Sequence, residues 1–164
     1  MTAGGPSSEE ACPSRWSRRL LLIGLALLGF GIASTLALYQ WGIIPTVWEP
    51  FFGSGSRVIL HSGLSRFLPI PDAALGALGY LADTALGAIG GPERYRTLPG
   101  IVLLMGFVVG AMGVAGVFLV LLQAFTYHQF CTLCLASAAL SIGLVPLAWP
   151  EVRAALRVVL RKDG

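Results

Sequence analysis

Charge is scarce in this chain. Only 12% of its 164 residues are charged, about half of what a soluble domain needs to solvate its surface. Hydrophobic residues make up 55%, and the mean hydropathy is +0.78. That balance excludes an ordinary water-soluble domain and points to lipid as the main solvent. Cysteine is sparse too: Cys12, Cys131 and Cys134 are the only three, which excludes a secreted disulfide framework. Histidine is scarcer still. A zinc site built on the cysteine pair would have only His61 and His128 to add, so no metal site is expected. The net charge of +3 and pI near 9.0 do not call for nucleic acid. The basic residues flank hydrophobic segments, as they do where a membrane protein sets its orientation.

What the chain has is long apolar runs. Residues 1–14 are rich in Gly, Ser, Pro and Ala and read as disordered. The basic flank Arg15-Trp16-Ser17-Arg18-Arg19 precedes an apolar run from about Leu20 to Trp41, long enough to cross a hydrocarbon core of about 30 Å. A cleaved leader is shorter and ends in a small-x-small site. This run closes instead on Tyr39, Gln40 and Trp41, an interfacial belt, and reads as a retained helix. Within the mixed stretch 42–71, the segment Arg57–Leu68 has the pattern of a short helix lying at the interface, ended by Pro69 and Pro71. Further spans are expected from about Asp72 to Ile89, Ile101 to Phe125 and Phe130 to Trp149. The turn Thr126-Tyr127-His128-Gln129 is short, so the last two spans should be antiparallel neighbours.

The fold class is therefore an all-α polytopic membrane protein: a four-transmembrane-helix bundle whose outer loop contains a short interfacial helix. Three parts are expected: a disordered cytoplasmic tail over 1–17, a membrane domain over 18–149 and a basic cytoplasmic tail over 150–164. Nine of the eleven basic residues fall in the N-terminal flank, the 90–99 loop and the tail. Four spans put those three segments on one side, which the positive-inside rule makes the cytoplasm. Glycines at 106, 110, 113 and 116, and at 76, 79 and 87, suit close helix packing.

Two groups carry chemistry. Cys131 and Cys134, three apart at the start of a helix, share a face and lie within disulfide reach. A helix N-terminus stabilises a thiolate, and this end faces outward, where disulfide chemistry is permitted. His128 and Tyr127 stand just before the pair. The second group is a stripe at helical spacing: Asp72, Gly76, Tyr80, Asp83 and Gly87. An acid as deep as Asp83 is costly in lipid. The stripe suits the lining of a pocket near the cysteines. It equally suits an acid that reaches interfacial water, or a protonated one bonded to a hydroxyl or carbonyl.

A four-span bundle with Cys-x-x-Cys opening its last helix resembles the vitamin K epoxide reductase family. Ser56-Arg57-Val58-Ile59-Leu60-His61-Ser62 looks like the family's stretch after its outer-loop cysteines. Pro69-Ile70-Pro71 followed by Gly76-x-x-x-Tyr80 looks like its approach to span two. Phe130-Cys131-Thr132-Leu133-Cys134-Leu135-Ala136-Ser137-Ala138 looks like the active-site helix of bacterial members. The resemblance covers roughly residues 18–149. It implies a thiol–quinone oxidoreductase of the bacterial cytoplasmic membrane, using ubiquinone or menaquinone beside Cys134, with Cys131 exchanging with an exported thioredoxin-like partner. It also implies that Asp72 hydrogen-bonds the quinone and that Tyr80 is the tyrosine of the span-two motif. Two departures stand out. The first outer loop, Val47 to Ser56, has no cysteine, where the family normally carries two, at about Val47 or Trp48 and Gly55 or Ser56. The tyrosine that some members place one turn after the second cysteine is Ala138 here. A relay through loop cysteines is therefore impossible, and the alternative is a non-catalytic membrane scaffold of the same fold. A third reading, a small transporter or lipid-binding bundle organised on Asp83, rests on that acid alone.

Overall fold

The computed structural model describes residues 15–48, 71–128 and 130–162, and among these every regular element is helical. The chain runs α1 (Trp16–Gln40), α2 (Asp72–Ala88), the short α3 (Arg94–Thr97), α4 (Pro99–Leu122) and α5 (Thr132–Lys162). The expected interfacial helix at 57–68 and residues 1–14 of the expected tail lie outside the described residues. Helix α1 begins at Trp16, inside the stretch assigned by sequence to that tail.

Three of the helices are long and apolar enough to cross a membrane: Trp16–Gln40, Pro99–Thr126 and Thr132–Lys162. Helix α2 has 17 residues, about 25 Å at 1.5 Å per residue, which is the short end of what a span requires. Helix α1 packs most extensively on α2, and α4 on α5, while α1 also lies along α5 and α2 along α4. The outward faces are apolar: Leu27, Leu28, Leu78, Phe107, Val114, Phe118 and Ile142 are all exposed.

Small residues set the α4–α5 distance. A Cβ placed on Gly106 would overlap Val152, one on Gly113 would press on Val145, and one on Gly116 would stand 3.3 Å from the Ala138 backbone. Gly110 has open space beside it and takes no part in this contact. Lipid tails give no hydrophobic incentive for helices to associate, so close backbone approach is what holds such a pair.

Helix α5 does not stop where the sequence places the end of the span. It continues through Pro146 and Pro150 to Lys162. A proline inside a helix removes one backbone bond. Here the segment beyond it is anchored, because Glu151 and Ala155 are buried and Glu151 pairs with Arg94.

That pair belongs to a polar cluster where α2 ends. Gly90, with φ 85°, turns the chain out of α2 and leaves carbonyls without helical partners. Arg94 donates to the carbonyls of Leu86 (2.7 Å), Gly87 (3.1 Å) and Ile89 (3.0 Å). Arg19 donates to Gly87 (2.8 and 3.1 Å), Ile89 (3.1 Å) and Gly90 (2.8 Å). Both guanidiniums are buried, and each suits the negative end of the α2 dipole. Nearby, Arg19 also stacks over Trp16 at 4.4 Å.

Removing Glu151 would leave a buried guanidinium without its counter-charge. We expect Glu151→Ala to cost about 3–5 kcal/mol. The exposed Glu93→Ala should change stability by less than about 0.5 kcal/mol. Thermal unfolding of both variants in detergent checks this.

Candidate functional site

The opposite end of the bundle holds the cysteines. Helix α4 carries no polar side chain from Pro99 to Leu122. It then widens into one π-helical turn, Gln123–Tyr127, a local form that recurs at functional sites. His128 follows with φ 48° and ψ 28°, a left-handed conformation that reverses the chain. Helix α5 restarts at Thr132, so α4 and α5 are antiparallel neighbours, as the short turn implies.

Cys131 stands at the cap of α5. Its carbonyl accepts the N–H of Leu135 at 2.9 Å. Its Sγ accepts the N–H of Cys134 at 3.2 Å, the place that a Ser or Thr oxygen takes in a common helix cap. Its own N–H donates to Gln123 Oε1 at 3.1 Å. Cys131 and Cys134 form a disulfide with Cα atoms 5.2 Å apart, inside the usual range. Cys131 is fully buried in a cluster with Leu36 and Tyr39 of α1, and Ile44, Val47, Ala73, Leu133 and Cys134 pack against that cluster. Cys134 is only partly buried. His128 is exposed.

The α2 stripe divides. Asp72 lies at the cysteine end, where its Oδ1 accepts Gln40 Nε2 at 2.5 Å. Gln40 Oε1 in turn accepts the Ala73 N–H at 3.3 Å, which ties the end of α1 to the start of α2. Tyr80 is fully buried and reaches α5 one to two turns below Cys134. Its hydroxyl donates to the Ser137 carbonyl at 2.5 Å and lies 2.7 Å from Ser141 Oγ. Gly76 faces α1, where a Cβ would be in ordinary contact with Ala33 at 3.9 Å. Asp83 lies deeper. It is fully buried, and neither carboxylate oxygen has a hydrogen-bond partner among the described residues. The structure thus brings Asp72 and Tyr80 toward the helix that carries the cysteines, and leaves Gly76 and Asp83 apart from them.

Sequence reasoning missed the bonds made by Gln123, Gln40 and the serines of α5. Gln40 stood only as part of an interfacial belt and Ser137 only within a resembling stretch; the signal for Gln123 is that it is the first polar side chain after an unbroken apolar run. An apolar groove of about 730 Å³ between α4 and α5, lined by Gly113, Val117, Ile142 and Pro146 among others, opens on the outer surface of the pair. None of the site residues expected from the sequence lines it.

A helical membrane protein with a bridged Cys-x-x-Cys at a helix cap is, by class, a membrane thiol–disulfide protein. The chain matches the model of the vitamin K epoxide reductase family over residues 20–149, and it belongs to that family, whose members are oxidoreductases. No curated protein matches it.

Tyr80 links α2 to α5 through a single hydroxyl. We expect Tyr80→Phe to cost about 1 kcal/mol. Gly29→Ala should cost more, because its Cβ would overlap the Tyr80 ring in a packed interior. Denaturation of both variants in detergent ranks them.

Proposed function

We propose that this chain is a membrane thiol–quinone oxidoreductase that passes electrons from an external thiol, through Cys131 and Cys134, to a membrane quinone, ubiquinone or menaquinone. The observation that carries the reading is the Cys131–Cys134 disulfide at the cap of α5, in a chain of this family.

The proposed topology has four spans, α1, α2, α4 and α5, in the bacterial cytoplasmic membrane, with both termini cytoplasmic and the cysteines at the outer face. Of the nine basic residues at the cytoplasmic end, Arg19 and Arg94 are buried helix caps. That leaves 9 − 2 = 7, namely Arg15, Arg18, Arg96, Arg153, Arg157, Arg161 and Lys162, all exposed. These seven are free to set the orientation.

In the proposed cycle a donor thiolate attacks Cys131 Sγ, the S–S bond breaks, and Cys134 leaves as the thiolate. A second thiol of the donor resolves the mixed disulfide. The donor becomes a disulfide, and the pair holds two electrons as a dithiol. When bound, a quinone would supply the two-electron, two-proton acceptor needed to re-form the S–S bond. The residues near Cys134 suit such a group. Leu36, Ala73 and Leu133 are apolar and gather with Cys134 around Cys131, surroundings that suit an apolar quinone ring. Of the four α2 residues expected from the sequence, Asp72 and Tyr80 are proposed to complete the lining, whereas Gly76 faces Ala33 of α1 and Asp83 lies deeper. With no cysteine in Val47–Ser56, the donor is a separate molecule, which we take to be an exported thioredoxin-like protein.

The same missing cysteines favour a second reading, a non-catalytic membrane scaffold on this fold. Quinone reduction by purified protein with dithiothreitol as donor separates the two. The oxidoreductase should turn over, and Cys131→Ala and Cys134→Ala should each fall to background. Folded wild-type protein without turnover would favour the scaffold, and turnover that survives Cys134→Ala would overturn the role given to the cysteine pair.

A further inference from the structure

We infer that Gln123 is a positioning residue for the cysteine pair, holding Cys131 at the cap of α5 so that its sulfur is stabilised as a thiolate when the pair is reduced. The inference rests on the redox reading of Cys131 and Cys134.

The first N–H groups of a helix have no partners within it. In a capping box the cap side chain takes the N–H three residues on, and the side chain found there bonds back to the cap N–H. Half of that arrangement is present. Cys131 Sγ takes the Cys134 N–H at 3.2 Å. The return half cannot come from Cys134, whose side chain is bonded to Cys131. It comes from Gln123, eight residues upstream, whose Oε1 accepts the Cys131 N–H at 3.1 Å. Gln123 and Cys131 are 2% and 0% exposed, so no solvent stands ready to replace that bond. The π-helical turn that begins at Gln123 and the left-handed His128 carry the chain round so that residue 123 meets residue 131.

The chemical consequence follows from the acceptor. Sulfur in a disulfide accepts a hydrogen bond weakly. A thiolate accepts it with charge assistance. The Cys134 N–H therefore favours the reduced pair over the oxidised pair, provided that Cys131 stays at the cap. Gln123 secures that condition and makes the disulfide easier to reduce. The preference requires the ionised sulfur, so it fades at acid pH. Among the described residues the ionisable residues at this end are Tyr39 on α1, Asp72 at the start of α2 and, in the turn before Cys131, Tyr127 and His128. Helix α4 carries none, and α5 carries none besides the cysteines before Glu151. The substitution leaves all four in place.

The test is the redox equilibrium of the full-length chain in detergent, in a Cys12→Ser background. Protein is equilibrated with mixtures of reduced and oxidised dithiothreitol at pH 8 and pH 5.5, quenched with acid, and its free thiols counted by a mass-shifting maleimide. At pH 8, Q123M should need a reduced-to-oxidised ratio higher by roughly three- to tenfold for half reduction, the worth of one buried hydrogen bond. At pH 5.5 the shift should shrink. If Q123M fails to fold by circular dichroism, Q123A takes its place in the comparison. Coincident curves for wild type and Q123M overturn the proposal. So does an equal shift at both pH values, which makes Gln123 a packing residue. The equilibrium needs no quinone, so a protein inactive toward quinone but shifted by Q123M would sink the enzymatic reading and leave this one standing.

Discussion

The bundle depends on how the end of α2 is satisfied. Where a helix ends, its last carbonyls lack partners within it, and leaving them unpaired is costly. Four carbonyls between Leu86 and Gly90 meet that problem, and two arginines from different helices answer it. Arg19 comes from the first turn of α1 and Arg94 from α3. Arg94 also takes Glu151 of α5 as its counter-ion. One end of α2 therefore fixes the relative heights of α1, α3 and α5. Helix α4 begins at Pro99, two residues after α3 ends, so its height is set as well.

Heights fixed at one end determine what meets at the other. Helices are stiff rods, so the register set at Gly87 and Glu151 reaches the cysteine end. Tyr80 lies two turns up α2 from Gly87 and meets Ser137 and Ser141 of α5. Gln40, at the end of α1, meets Asp72 at the start of α2. Leu36 and Tyr39 of α1 arrive beside Cys131. The Cys131–Cys134 bridge thus sits among elements whose alignment is secured by charges at the far end of the bundle.

How much of this the sequence disclosed follows from what each signal depends on. Hydropathy and length need only local information, and they located α1, α4 and most of α5. The Cys-x-x-Cys spacing is local too, and it identified the pair and its place at a helix start. Arg19 and Arg94 were read as orientation charges because a buried arginine and an exposed one look the same in a flank. Glu151 was absorbed into a basic tail for the same reason, and Pro150 suggested a stop that the Glu151–Arg94 pair prevents. Gln123 and Gln40 act across elements, so no local pattern marks what they bond. The stripe on α2 was legible as a stripe, but its spacing did not say that Gly76 would face α1 while Tyr80 reached α5. The interfacial helix at 57–68 and most of the Val47–Ser56 loop fall outside the described residues.

The missing loop cysteines gain meaning from what packs where the chain leaves α1. The family resemblance puts one of those cysteines at about Val47 or Trp48. Here Val47, together with Ile44, packs against the cluster that contains Cys131. An aliphatic side chain cannot exchange with a disulfide; here it covers the Cys131 side of one, while Cys134 stays partly exposed. In the proposed oxidoreductase, a protein donor that attacks Cys131 would displace Ile44 and Val47 as it docks. Exposed Trp41, Ile43 and Trp48 flank those two residues, so the same short segment offers apolar surface that a docking protein would engage. In the proposed oxidoreductase, loss of the relay and the apolar packing on Cys131 are then two results of one change: an aliphatic side chain where the family resemblance puts a reactive sulfur.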